Sequence, residues 1–199
     1  MPLARIIHLA ECAFLIALAA LIVSRMLPIL SDHPQVIVFL TAELLGVVLI
    51  AMQRPGAVAT GSHPVLLGFA GTGASLLVLP SGIQLAPDSV SSIFIFAGVI
   101  LSILAKLSLR RSFGLVAANR GVKKSGLYRF VRHPMYSGYM LNQAGFLLTF
   151  ASAWNVAVIS LAWILLWMRA EEEEKVLLDD PAYRSYADAV KSRLVPGII

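Results

Sequence analysis

The stretch Val90–Ser108 reads VSSIFIFAGVILSILAKLS and carries one charged side chain, Lys106. At 1.5 Å per residue, a helix of this length covers the hydrocarbon layer of a bilayer, which is about 30 Å thick. The composition of the chain agrees, because 58% of its 199 residues are apolar and only 14% are charged. Soluble domains have roughly 25% charged and 45–50% apolar residues when Gly is counted as apolar and Tyr is not, and on that count about 62% of this chain is apolar. So small a domain cannot bury that much apolar surface, which excludes a soluble globular protein and predicts an integral membrane protein.

Five more apolar runs accompany this stretch. In chain order the six runs cover residues 6–24, 36–53, 65–80, 90–108, 135–151 and 155–168. The last two are short and nearly contiguous, which predicts a tight helical hairpin. We therefore predict an all-α, polytopic transmembrane helix bundle with about five to six membrane helices. We divide the chain into N-terminal transmembrane helices, 1–105, and a C-terminal core, 106–199, made of a cytoplasmic loop, the hairpin and a C-terminal helix.

Basic residues are sorted by side of the membrane. If all six runs cross or return, fifteen of the 16 Lys and Arg residues lie on one side and only Arg25 lies on the other. The positive-inside rule assigns the basic side to the cytoplasm. We expect a multi-pass protein with both termini cytoplasmic, in the inner membrane if the chain is bacterial. This sorting explains the net charge of +5 by contacts with membrane lipids, so no nucleic-acid partner is expected.

Residues able to do chemistry concentrate in two strings that flank the hairpin. The first is Arg132–Gly138, RHPMYSG, and the second is Arg169–Leu178, RAEEEEKVLL. Pro134 fixes its own φ and holds His133 extended, which directs side chains at the point where the chain enters the membrane. In the second string, Arg169 and Glu173 are i and i+4 and share one helical face.

The two strings resemble the signatures of the isoprenylcysteine carboxyl methyltransferase family, an RHPxYxG motif and an Arg followed at four and five positions by paired Glu. A Y-x-x-Y pattern follows, and Leu109–Gly114 is similar to the family's LGRxF entry; the resemblance spans about 106–197. It implies a membrane-integral, S-adenosylmethionine-dependent methyltransferase. The implied reaction is O-methylation of a carboxylate on a lipophilic, isoprenylcysteine-type acceptor, without a metal.

The resemblance also implies site residues. Those placed against the cofactor are Arg120, Gly121, Val122, Lys123, Tyr128, His133, Pro134, Met135, Tyr136 and Glu173. Arg169 takes the position near the substrate carboxylate and is the candidate catalytic and substrate-binding residue. The residue types suit the cofactor: Glu173 and Glu174 can meet its ammonium, and the tyrosines can enclose its adenine and sulfonium. At 120–123, where the family has an H-x-L-V stretch, only Val122 is chemically similar.

Two other functions stay open. One is a phospholipid amine N-methyltransferase, since more distant proteins with a similar motif act on amines. The other is a non-catalytic membrane lipid-binding protein, which the departures at Arg120 and Lys123 motivate. Glu11 and Glu43 lie within apolar runs, where carboxylates are costly and are functional candidates. For these two, we expect structural pairing or a neutral, protonated state.

Overall fold

A computed structural model describes residues 3–30 and 36–198; the outermost residues of the two predicted units lie outside this range. The described part contains seven α-helices. These are α1 (Leu3–Met26), α2 (Val36–Ala51), α3 (Ser62–Gly73), α4 (Asp88–Leu109), α5 (Pro134–Thr149), α6 (Ala153–Leu177) and α7 (Pro181–Ala189). Short 3₁₀ turns cover Leu27–Ile29, Ala74–Leu77, Arg110–Ser112 and Gly126–Arg129. Two-residue strands, β1 (Ala57–Val58) and β2 (Ala118–Asn119), pair antiparallel.

The structure is a helix bundle with segments able to cross a membrane, as predicted. Among the described residues, three segments are both long and apolar enough, namely Leu3–Ser24, Asp88–Ser112 and Ala153–Leu177. Helices α2 and α5 have 16 residues each and α3 has 12, which is less than the roughly 20 that a straight span requires. The predicted number of five to six membrane helices is therefore not confirmed.

Helix α6 is longer than the apolar run that predicted it. Ser152 caps its start by accepting a hydrogen bond from the backbone amide of Asn155 (3.1 Å), and the helix continues through the acidic string to Leu177. Ala, Glu and Lys are good helix formers, and Lys175 pairs with Glu172 one turn away (2.7 Å). The charged string is thus a continuation of a membrane helix, which holds its side chains at fixed angles.

Helices α4 and α5 pack closely through small residues. A Cβ at Gly138 would lie 2.8 Å from both the carbonyl oxygen of Gly98 and the backbone nitrogen of Ser102. A Cβ at Gly145 would lie equally close to the carbonyl oxygen of Ser91. Small residues allow this backbone approach in membrane helices. The packing is antiparallel, so the end of α4 meets the start of α5.

The connecting segment 110–133 folds over this end of the bundle. The backbone amide of Arg54 donates to the carbonyl of Arg111 (2.7 Å), and β2 pairs with β1. On the other side, the backbone amide of His133 donates to the carbonyl of Arg193 (2.8 Å). The end of α4, the start of α5, the end of α6 and helix α7 therefore surround one region. The division at 105/106, which falls inside α4, stays a prediction.

Candidate active site

A cavity that is partly open to solvent lies where these helix ends meet. Its walls come from segment 109–123, segment 128–136, the end of α6 and helix α7. The predicted cofactor residues that line it are Arg120, Gly121, Val122, Lys123, Tyr128, His133, Met135, Tyr136 and Glu173. Pro134 does not line the cavity; it is fully buried as the first residue of α5. Arg169 lies just behind the wall.

The two sequence strings meet at this cavity. The Tyr136 hydroxyl donates a 2.5 Å hydrogen bond to Oε1 of Glu173, and His133 Nδ1 lies 3.6 Å from Oε2 of the same carboxylate. The rings of His133 and Tyr136 stack with 5.4 Å between their centroids. One carboxylate of α6 therefore joins two side chains of the other string.

The adjacent carboxylate of Glu174 has a different environment. It accepts from Arg132 Nε (2.7 Å) and Arg193 Nε (3.1 Å), and it lies 3.1 Å from Nε2 of His133. Its side chain is buried and does not line the cavity. Because these cations and the histidine surround Glu174, the cavity-facing Glu173 is the better acceptor for a ligand ammonium.

Arg169 is held by three elements at once. Its Nε donates to Glu173 Oε1 (3.2 Å), its Nη1 donates to the hydroxyl of Thr72 (3.1 Å), and its Nη2 donates to the carbonyl of Gly114 (3.1 Å). Its guanidinium carbon also lies 5.2 Å from the centroid of the Tyr136 ring. A guanidinium has five N–H donors, so two are available beyond these three bonds.

Helix α7 contributes two tyrosines that our site prediction did not include. Tyr186 donates to the backbone carbonyl of Tyr128 (2.6 Å), and burial raises the pKa of its phenol to about 12, so it stays a neutral donor. The Tyr183 hydroxyl is buried in the cavity wall and has no hydrogen-bond partner within the described residues. The Y-x-x-Y pattern pointed to this helix, because residues three apart share one helical face.

Arg120 supplies the second unpartnered donor. Its side chain is 4% exposed and lines the cavity, and its Nε has no partner within the described part of the chain. Buried polar groups are usually hydrogen-bonded. A cavity that presents a carboxylate at Glu173 and free donors at Arg120 and Tyr183 therefore fits a ligand with both a cationic and an anionic group.

Two buried charges near the site were not assigned to it from the sequence. Lys106 is 2% exposed; its ammonium donates to the carbonyl of Ala42 (2.8 Å) and lies 5.7 Å from the centroid of the Tyr139 ring. Glu11 is fully buried and accepts hydrogen bonds from the backbone amides of Leu115 (2.8 Å) and Val116 (2.6 Å). Structural pairing, which we predicted for Glu11 as one alternative, is what the structure contains.

Comparison with known proteins agrees with the region that the geometry selects. Residues 91–179 match the isoprenylcysteine carboxyl methyltransferase (ICMT) family, whose name indicates a membrane methyltransferase. The match begins inside α4, earlier than the resemblance at 106–197, and ends before α7. It contains both strings and the connecting segment. A search of curated proteins finds no match to the chain.

Proposed function

We propose that the protein transfers a methyl group from S-adenosylmethionine to the carboxylate of a lipophilic acceptor, because residues 91–179 match the isoprenylcysteine carboxyl methyltransferase family. The acceptor is of the isoprenylcysteine type, either a small molecule or a prenylated protein. The enzyme is a multi-pass membrane protein with both termini in the cytoplasm. The observation that carries the proposal is the cavity in which Tyr136 and Glu173 meet.

The residues at the cavity suit S-adenosylmethionine. Its amino-acid part has an ammonium, for which Glu173 is the acceptor, and a carboxylate, for which Arg120 has a free donor. Tyr128 offers an aromatic ring to a sulfonium, whereas the Tyr136 ring already stacks on His133 and lies near the Arg169 guanidinium. Gly121, Val122 and Lys123 also line the cavity, where main-chain groups can serve even though the side chains differ from the family's. The Tyr183 hydroxyl has a free position for a ribose or adenine polar atom.

The protein has little covalent chemistry to do. When bound, S-adenosylmethionine supplies an electrophilic methyl group, and its transfer to a carboxylate requires no proton removal. Catalysis then depends mainly on positioning. Arg169 holds the acceptor carboxylate through its two remaining N–H donors, while Glu173 and Thr72 fix the guanidinium in place.

A single incubation tests the proposal. Detergent-purified protein is mixed with methyl-labelled S-adenosylmethionine and a lipid extract of the native membrane, and label in lipid-soluble product is measured. A carboxyl methyl ester releases labelled methanol in mild alkali, whereas an N-methyl amine does not. We expect alkali-labile label. Alkali-stable label would indicate the phospholipid amine reaction, and no label together with no binding of S-adenosylhomocysteine would support the non-catalytic alternative.

A further inference from the structure

The fully buried carboxylate of Glu11 joins the first helix to the segment that forms the cavity wall. Its Oε1 accepts the backbone amides of Leu115 and Val116, which are 104 and 105 positions away in the sequence. Its Oε2 accepts the side-chain amide of Gln53 (2.9 Å) and lies 3.9 Å from Nη2 of Arg120. Glu11 therefore holds both the backbone and a cationic side chain of this segment.

Arg120 depends on Glu11 because it has few other partners. Its Nη1 makes one long contact, 3.5 Å, with the carbonyl of Val116, and its Nε has none in the described range. Burial lowers the pKa of the Arg120 guanidinium, and the nearby carboxylates of Glu11 and Glu173 oppose this effect. A cation taken out of water is costly without a counter-charge. Glu11 supplies that charge, and it does not itself line the cavity that Arg120 lines.

We propose that Glu11 is a positioning residue that holds the Arg120 guanidinium toward the cavity, where Arg120 receives the carboxylate of the amino-acid part of S-adenosylmethionine. This proposal rests on the proposed function. Arg120 and Glu173 line the same cavity with opposite charges, which matches a zwitterionic amino acid. Glu11 lies in α1, outside residues 91–179 that match the family, so the match itself assigns Glu11 no role.

Replacing Glu11 with Gln removes the negative charge of this side chain but keeps its size and shape, so it tests whether the charge matters for cofactor binding. The Gln oxygen can still accept the amides of Leu115 and Val116. Its NH₂ group would face Gln53 Nε2, which now donates to Glu11 Oε2, so the Gln53 amide must turn over to present its Oε1, which has no partner within the described residues. The counter-charge of Arg120 is lost. Glu43→Gln is the matched control, because Glu43 lies in an apolar helix and the structure records no hydrogen bond or ion pair for it among the described residues.

The experiment is calorimetry on the full chain in detergent with two probes, S-adenosylhomocysteine and methylthioadenosine, which lacks the amino-acid part. We expect Glu11→Gln and Arg120→Gln each to weaken S-adenosylhomocysteine binding about tenfold or more, as befits loss of a charge-assisted contact. Methylthioadenosine affinity is expected to stay close to wild type. The thermal unfolding midpoint is expected to fall, because each variant leaves a buried charge without its counter-charge, so binding is measured well below that midpoint. Equal weakening for both probes would mean a general structural role for Glu11 and would overturn the proposal.

The double variant Glu11→Gln/Arg120→Gln shows whether Glu11 affects cofactor binding through Arg120 or independently of it. If Glu11 works through Arg120, Glu11→Gln adds no further loss of S-adenosylhomocysteine affinity in the Arg120→Gln background. Additive losses, or unchanged affinity in the Glu11→Gln single variant, contradict the proposal while leaving the proposed function intact. If the wild-type protein binds neither probe, the proposed function itself fails.

Discussion

The Tyr136 hydroxyl lies 2.5 Å from Oε1 of Glu173 and donates a hydrogen bond to it. This contact joins the start of α5 to the last turns of α6 at the wall of the cavity. The same oxygen accepts from Arg169 Nε (3.2 Å). Glu173 is thus oriented by two donors, and its second oxygen is left near His133 and the cavity.

Replacing Glu173 with Gln should weaken S-adenosylhomocysteine binding. The variant keeps the size of the side chain but loses the charge that faces the ligand ammonium, so a loss of about ten- to a hundredfold in affinity is expected. Isothermal calorimetry on detergent-purified protein measures this. Glu172→Gln is the control, because Glu172 does not line the cavity and pairs instead with Lys175 and with His63 of α3. Equal losses in the two variants would exclude the assigned role of Glu173.

Replacing Arg169 with Ala should lower carboxylate methylation more than cofactor affinity. Loss of the orienting cation is expected to lower kcat about a hundredfold, the order of effect that misplacement of a reacting group produces. Turnover is measured with saturating prenylcysteine acceptor, and S-adenosylhomocysteine affinity is measured in parallel. Unchanged turnover at saturating acceptor would refute the role of Arg169 in holding the carboxylate.

Replacing Glu174 with Ala should destabilise the protein. Glu174 is the shared acceptor of Arg132 and Arg193, and its removal leaves the nearly buried Arg132 without its counter-charge. Breaking a buried ion pair in this way costs about 3–5 kcal/mol, so the thermal unfolding midpoint should fall clearly. The control is Asp188→Asn, whose exposed pair with Lys191 contributes about 0–1 kcal/mol. Similar midpoints for the two variants would contradict this prediction.

Replacing Gly138 with Ala should separate α4 from α5. The added Cβ meets the backbone of Gly98 and Ser102 at 2.8 Å, and backbone atoms cannot rotate away as a side chain can. Overpacking of this kind costs about 1–3 kcal/mol. Gly73→Ala is the control, because its Cβ meets Phe14 at an ordinary 3.5 Å. Equal unfolding midpoints in the two variants would show that the α4–α5 contact tolerates separation.

The sequence predicted the parts of the site that are contiguous in the chain. Apolar run length indicated the helices, and the strings at Arg132–Gly138 and Arg169–Leu178 indicated the two sides of the cavity. The end of α6 was placed too early because hydropathy records where apolar residues stop, whereas a helix continues as long as its residues favour it. The helix propensity of its residues and the i,i+3 pair of Glu172 with Lys175 explain why α6 continues to Leu177.

The contact between Glu11 and Leu115 could not be predicted in the same way. A buried Glu in an apolar run indicates a partner but does not say which, because the partner is a pair of backbone amides in a distant segment. The sequence also did not predict that Glu173 and Glu174 have different environments. Adjacent residues on a helix point about 100° apart, and only the packed neighbours decide which one faces the cavity.

The central claim is that segment 114–136 and the end of α6 share one S-adenosylmethionine site. Ultraviolet crosslinking of labelled S-adenosylmethionine to the purified protein, followed by peptide mapping, tests it most directly. We expect saturable label in peptides from 114–136 and from 169–186, suppressed by excess S-adenosylhomocysteine. Label confined to other helices, or label that the competitor does not suppress, would contradict the account.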